Sequence, residues 1–394
     1  MMSTPEEMKN ETAQTIESAA EEPVGKTEAA VSEAAAEASE SAKKADEAAE
    51  AVPEKDWHDY IPKLLTVSPS PHLRTEDTTR SIMLDVCIAL MPALIWGIFI
   101  FGWRALTVTL VSVVFAVLSE FVWEKAMKKP LTISDFSAVV TGILLAMNLP
   151  VSVPLWMPAI GAVFAIIVVK QLFGGIGKNF VNPALAARVF LFAWPSHMGA
   201  EAFTAPGTKL PPLAISIASA DVVSGATPLA ALKTGAAPDI SMFDMILGNE
   251  AGCIGEVSAL LLTAGFIYLL VRKVITWRIP VFYIGTVAIV TFIFAKTSLP
   301  FVFAGQEIFS GGLFLGAIFM ATDYTTSPIT EGGRMIYAIG CGLLTVFIRY
   351  FGGYAEGVSF SILIMNLLVW YLDRYTKPVR FGGASDDKKS GKKA

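Results

Sequence analysis

Charge is scarce in this chain. Of its 394 residues only 16% are Asp, Glu, Lys or Arg, while 54% are hydrophobic. Soluble domains carry about 25% charged residues, so the composition excludes a disordered chain and argues against a single soluble globule. Cysteine is also scarce. Cys87, Cys253 and Cys341 are the only three, and none forms a Cys-x-x-Cys pair. That argues against a disulfide framework or a cysteine-ligated iron–sulfur cluster within the chain. Three histidines, His58, His72 and His197, lie far apart in sequence and suggest no metal site. The start lacks a basic segment followed by an apolar run, so no secretory signal is expected. A nucleotide fingerprint is missing too. Gly174-Gly175-Ile176-Gly177-Lys178 resembles a phosphate loop, but Leu172 and Asn179 stand where that pattern needs Gly and Ser or Thr, so it reads as a helix break.

What is there divides unevenly. Residues 1–55 hold 14 acids and 5 bases in an Ala/Glu/Ser/Lys tract, and the remainder is net +4. The tract has almost nothing large and apolar, and is expected to be a disordered acidic tail. From residue 82 the chain becomes a series of apolar runs. Ten spans are expected near 82–103, 105–123, 136–149, 155–172, 183–194, 257–271, 279–295, 311–321, 335–351 and 358–372. A long loop, 195–256, separates two groups of five. With the N-terminus inside, 19 of the 25 basic residues after residue 55 fall on the cytoplasmic side and five outside. This bias places both termini in the cytoplasm and the loop outside. The expected organisation is an acidic tail (1–55), a first five-helix repeat (56–194), the extracytoplasmic loop (195–256), a second repeat (257–375) and a basic cytoplasmic tail (376–394).

Two punctuation marks recur at one offset. Pro150 and Pro328 close the third and eighth runs, and Phe173-Gly174-Gly175 and Phe351-Gly352-Gly353 close the fourth and ninth, both 178 residues apart. Five spans per copy is an odd number, so a duplicated half is inverted in the membrane. The fold expected is an all-α polytopic membrane protein of about ten helices in two inverted five-helix repeats. Interrupted helices in such repeats line a site near the midplane. Ionisable residues in the spans are functional candidates by default: Asp85, Glu120, Arg188 and Asp323 qualify, although pairing is as good an account of Asp85 and Glu120. Asn148 and the Asp323–Ser327 stretch interrupt apolar runs and equally suit helix capping.

The outward loop carries Asp221-Val222-Val223-Ser224-Gly225-Ala226-Thr227. This D-x-x-S-G-A-T string matches the motif on which flavin transferases join the phosphate of FMN to the last threonine. Gly225 and Ala226 leave room for close approach, and Pro228 fixes φ beyond the acceptor. Its ordinary alternative is a Ser/Gly turn. With this motif, Ser70-Pro71-His72, Asp135-Phe136-Ser137-Ala138, Phe173-Gly174-Gly175 through Asn179, Asn182-Pro183-Ala184, Gly255-Glu256-Val257-Ser258 and Ala321-Thr322-Asp323 with Thr326-Ser327-Pro328, the chain resembles the D subunits of Rnf electron-transport complexes over residues 65–380. It is also similar to the B subunits of sodium-pumping NADH:quinone reductases. The Ser-Pro-His opening favours the former.

The resemblance implies FMN bound covalently at Thr227, with Asp221, Ser224, Gly225 and Ala226 completing the motif, and a riboflavin held non-covalently in the bundle. It implies a membrane flavoprotein that carries electrons between ferredoxin and NAD⁺, coupled to Na⁺ or H⁺ translocation. Implied partners are other Rnf subunits: a second covalent-FMN subunit, membrane iron–sulfur subunits and a nicotinamide-reducing subunit. Membrane lipid and a flavin transferase join them, with no nucleic acid. Read from its architecture alone, the chain suits a solute channel or transporter equally well; only the D-x-x-S-G-A-T loop separates the two.

Overall fold

The computed structural model describes residues 77–199, 202–208, 210–213, 227–235, 238, 240–256, 258–353 and 356–377. The acidic tail, Ser70-Pro71-His72, His58 and the motif residues Asp221, Ser224, Gly225 and Ala226 lie outside them. Everything described belongs to the unit Thr75–Ala394. Among the described residues there is no β-strand; the elements are helices.

Helices α1 (Thr79–Phe101) and α2 (Trp103–Ala126) open the body. A capping box starts α1: Thr78 Oγ1 accepts from Ser81 N, and Ser81 Oγ accepts from Thr78 N. Gly102, at φ +77°, is the sole residue between the two helices, a conformation that L side chains rarely adopt. Helix α3 (Ser137–Met147) follows, then α4 (Trp156–Gln171), whose second half, Phe164–Gln171, is wound as a π-helix. Asn182 caps α5 (Pro183–Leu191) by accepting from Ala184 N and Leu185 N. Two short helices, α6 (Pro228–Thr234) and α7 (Met242–Leu247), lead to α8 (Ala259–Val271) and α9 (Arg278–Ile293). Helix α10 (Pro300–Phe309) meets α11 (Leu313–Met320) at a 63° bend. The body closes with α12 (Glu331–Phe351) and α13 (Val358–Tyr375).

A helix stands at each of the ten expected runs. Helix α10 is an eleventh apolar helix that the run of hydrophobicity did not separate. By length and apolarity three helices, α1, α2 and α12, suffice to cross a membrane, and a fourth span forms if α10 and α11 count together. The 11 residues of α3 rise only about 16 Å, short of a hydrocarbon core of about 30 Å. The long helices turn apolar side chains outward at helical spacing: Ile88, Met91, Ile95 and Phe99 on α1, and Ile336, Ile339, Leu343 and Phe347 on α12. Their polar groups face inward instead. Ser112 on α2 donates to the Gly142 carbonyl of α3 at 2.7 Å, and Tyr283, Thr345 and Ser361 share hydroxyl hydrogens among α9, α12 and α13. Apolar outside and hydrogen-bonded polar inside is the arrangement of a protein whose solvent is lipid.

The break after α3 is closed by the segment that precedes α8. Gly255 N donates to Met147 O at 2.7 Å and Ile254 N to Leu149 O at 3.1 Å. A Cβ on residue 255 would lie 2.6 Å from Met147 Cβ, so only glycine lets these backbones approach. The loop between the two halves thus inserts into the bundle at the interruption and satisfies its freed carbonyls.

Candidate functional site

Two cavities adjoin the interrupted helices. The first, about 340 Å³, is lined by Ser137, Lys170, Asn179, Asn182, Asp323 and Thr325 among others. Asp323 accepts from Thr325 Oγ1 at 3.1 Å and Thr326 Oγ1 at 3.2 Å, holding the turn after α11. Lys170 donates to Glu120 Oε1 at 2.7 Å and to Ser137 Oγ at 2.6 Å. This ion pair is fully buried, with Gln171 Nε2 also on Glu120 Oε1 at 2.9 Å. Glu120 therefore pairs inside the bundle, while Asp85 pairs near its edge with Arg272, at 3.1 Å, and with Tyr268.

The second cavity, about 360 Å³, contains Thr227. Thr227 is half-buried and is the N-cap of α6; its Oγ1 accepts from Ala230 N at 3.3 Å. Pro228 starts that helix because its missing N–H is needed by no acceptor there. Arg188, 2% exposed, projects from α5 into the same cavity. Its guanidinium grips both Glu356 oxygens, one at 3.1 Å, and lies 3.8 Å from Glu256 Oε1. It also donates to Ser359 Oγ at 3.2 Å and Asn148 Oδ1 at 2.8 Å. Glu250 and Lys233 complete the charged lining. In the connecting segment before α8, burial pushes the Glu250 carboxyl well above the usual range. The charge of Glu256 adds to this, and a hydrogen bond from the Gly311 backbone opposes it. Burial likewise pushes the Cys253 thiol up, which makes it a poor nucleophile.

The cavities are joined through the helix breaks. Asn148, at the end of α3, takes Arg188 on its oxygen and contacts Met320 Sδ, at the end of α11, through its nitrogen at 3.5 Å. Met320 O accepts from Asn182 Nδ2 at 3.3 Å, and Asn182 lines the first cavity. The two interruptions therefore touch. Asn148 and Asp323, paired in the sequence as breaks, lie in different surroundings: Asp323 lines the first cavity and Asn148 backs the second. Arg188 is placed at the charged centre of the second. His197 packs its ring against Trp156.

Glu250 and Glu356 carried no signal in the apolar runs, because both lie in connections. One mark does point to Glu356. It stands in the same place after the second Phe-Gly-Gly as Lys178 does after the first.

The residues around Thr227 suit a tethered FMN. The hydroxyl that would carry the phosphoester faces a cavity of ordinary ligand size. Arg188 and Lys233 supply positive charge, and Phe192 and Phe203 supply aromatic surface. Arg188 Nε and Glu250 Oε2 are buried without a hydrogen-bond partner, as polar atoms are where a ligand belongs.

Residues 66–382 match the model of the NQR2, RnfD, RnfE family. The chain is 48% identical over 332 residues to the D subunit of the Na⁺-translocating ferredoxin:NAD⁺ oxidoreductase complex of Acetobacterium woodii, covering 83% of this chain and 98% of the relative. It is 43% identical over 332 residues to the D subunit of the proton-translocating ferredoxin:NAD⁺ oxidoreductase complex of Clostridium ljungdahlii, covering 81% and 96%. To the D subunit of the ion-translocating oxidoreductase complex of Escherichia coli it is 34% identical over 347 residues, covering 80% and 98%. The first two names differ in the ion, so similarity to them does not choose between Na⁺ and H⁺.

Proposed function

The chain belongs to the NQR2, RnfD, RnfE family, and from that premise we propose that it is the D subunit of an Rnf-type complex, a membrane flavoprotein that carries electrons between ferredoxin and NAD⁺ through FMN esterified to Thr227. The observation that carries this reading is the position of Thr227, last residue of D-x-x-S-G-A-T, on the wall of the charged cavity. Arg188 and Lys233 would hold the phosphate, and Asp221, Ser224, Gly225 and Ala226 would present the threonine to a flavin transferase. When bound, the flavin supplies one- and two-electron redox chemistry. The chain orients it, shields it from lipid and sets the charge around it.

In this reading the ten expected spans form two inverted repeats of five, with both termini and the two tails cytoplasmic and the 195–256 loop outside. The contact of Asn148 with Met320 supports it, since equivalent interruptions of two inverted halves meet at their interface. The first cavity, with Lys170 and Asp323, is the place for a non-covalent riboflavin. Its partners are then the other Rnf subunits, the second covalent-FMN subunit, the iron–sulfur subunits and the nicotinamide-reducing subunit among them. Coupling to Na⁺ or H⁺ uses Asp323, and Asp323→Asn slows ion transport more than electron transfer in reconstituted complex.

Intact-mass and in-gel fluorescence measurements on the denatured chain test the central claim. The purified protein retains flavin after denaturation, and Thr227→Ala loses all of it while remaining in the membrane. Covalent flavin persisting in Thr227→Ala, or mapping to a different peptide, overturns the assignment. A cysteine at 230 reacts with an impermeant thiol reagent on intact cells, and one after Lys377 reacts only in opened cells; the reverse pattern inverts the topology.

A further inference from the structure

The Thr227 cavity holds more acids than it has cations to pair with them. Glu250, Glu256 and Glu356 face Arg188 and Lys233. Arg188, on α5, is shared between Glu356 and Glu256. Lys233, on α6, turns its Nζ to the Gly352 carbonyl. Arg349 of α12, beside Gly311, is committed to Glu307 of α10 at 2.8 Å and to the Ser310 carbonyl at 3.3 Å. Glu250 is left over. It is 2% exposed, it lines the cavity, and its Oε2 has no hydrogen-bond partner.

An unpaired carboxylate in such a place is strongly disfavoured, because burial penalises the charged form. The group avoids that cost by keeping its proton. A metal cation is the other way to neutralise it. Among the described residues, however, no three acidic, histidine or cysteine side chains converge as ligands, and the Arg188 guanidinium already stands among the acids. We propose that Glu250 is a proton donor built into the Thr227 cavity: a neutral carboxylic acid at neutral pH that protonates a group becoming negatively charged there, and reloads from the aqueous phase.

The donor step rests on FMN being tethered at Thr227; the neutral acid does not. In the step, the O–H bond at Glu250 breaks and a bond from that hydrogen to the acceptor forms. The electron arrives from the redox partner that the proposed function supplies. The carboxylate left behind takes a proton from a hydronium ion of the aqueous phase, whose O–H bond breaks to leave water. While ionised, that carboxylate faces the charge of Glu256, whose repulsion drives reloading.

Infrared spectroscopy of the purified full chain, grown with isotope-labelled glutamate, tests the acid directly. The wild type and Thr227→Ala, which has no tether, both show the carbonyl stretch of a protonated glutamate at neutral pH. Glu250→Gln lacks that band, Glu256→Gln keeps it, and Glu250→Asp, which keeps an acid at the position, serves if the glutamine variant does not assemble. With covalent flavin present, stopped-flow reduction in Glu250→Gln slows about a hundredfold, the usual scale of a positioned acid. A band absent from the wild type, surviving Glu250→Gln or lost only in Glu256→Gln overturns the proposal. So does an unchanged reduction rate. A band that disappears with sodium chloride but not with choline chloride makes the cavity a cation site and equally overturns it. Absence of flavin on the wild-type chain is a failure of the tether alone, because the band is read without it.

Discussion

The two cavities differ in how they balance charge. In the first, Lys170 meets Glu120 Oε1, with Ser137 and Gln171 taking further bonds; Glu120 Oε2 has no hydrogen-bond partner, and Asp323 is held by the hydroxyls of its own turn. The second sets one arginine against two carboxylates and leaves one oxygen of a third, Glu250, unbonded. A balanced buried pair is structural first, since it can be traded for apolar residues with little loss. An unbalanced cluster retains charge that only a proton or a ligand can settle. The contrast lies in the number of acids each cation serves: Arg188 is shared between two carboxylates beside a third, while Lys170 is spent on Glu120.

The sharpest way to break the comparison is to remove each cation. Arg188→Met strands Glu356 and Glu256 and frees Asn148 at the helix break, so a loss of at least about 3–5 kcal/mol is expected, read as failure to purify or a large drop in melting temperature in detergent. Lys170→Met strands Glu120 alone and costs no more than about 3–5 kcal/mol. Adding Glu120→Leu to Lys170→Met restores most of the wild-type melting temperature, because an apolar pair replaces the ionic one; the same melt checks it, and no rescue would make the first cavity unbalanced after all.

Gly255→Ala is expected to cost about 1–3 kcal/mol by overpacking, as the new methyl meets Met147 within 2.6 Å. It pushes the connecting segment, and with it Glu250 and Glu256, away from the α3 break. Flavin content at Thr227 measured beside the melt tells whether the cavity moves with it. The smallest effect is expected at Asp85→Asn. Its partner Arg272 has a half-exposed side chain, and exposed pairs contribute little, so the melting midpoint stays within error.

Much of the helical layout was legible because the bilayer imposes one rule on long stretches of chain. Apolar runs had to be helices, and all ten expected runs are helical in the described residues. The kinked α10–α11 pair was harder to read. Apolar residues flank both sides of Ser310-Gly311-Gly312, and hydropathy does not report a 63° bend. Thr227 stood out as a candidate through a local string of seven consecutive residues. Arg188 stood out as an ionisable residue in a span and Glu256 within a motif, but their meeting with Glu250 and Glu356 did not, since the four come from separate stretches of the chain.

The sequence by itself determined the membrane body, the acidic composition of the first 55 residues and the family, and it offered Thr227 as the candidate acceptor, because composition, periodicity and a contiguous motif are local properties. Tertiary structure alone decided which charges meet. It brought Asn148 against Met320, inserted Gly255 under the α3 break, and placed Glu250 in the Arg188 cavity without a cation of its own. Pairing across a bundle depends on distances between residues up to 187 positions apart, and in a low-dielectric interior those distances set whether a carboxylate is paired, protonated or available.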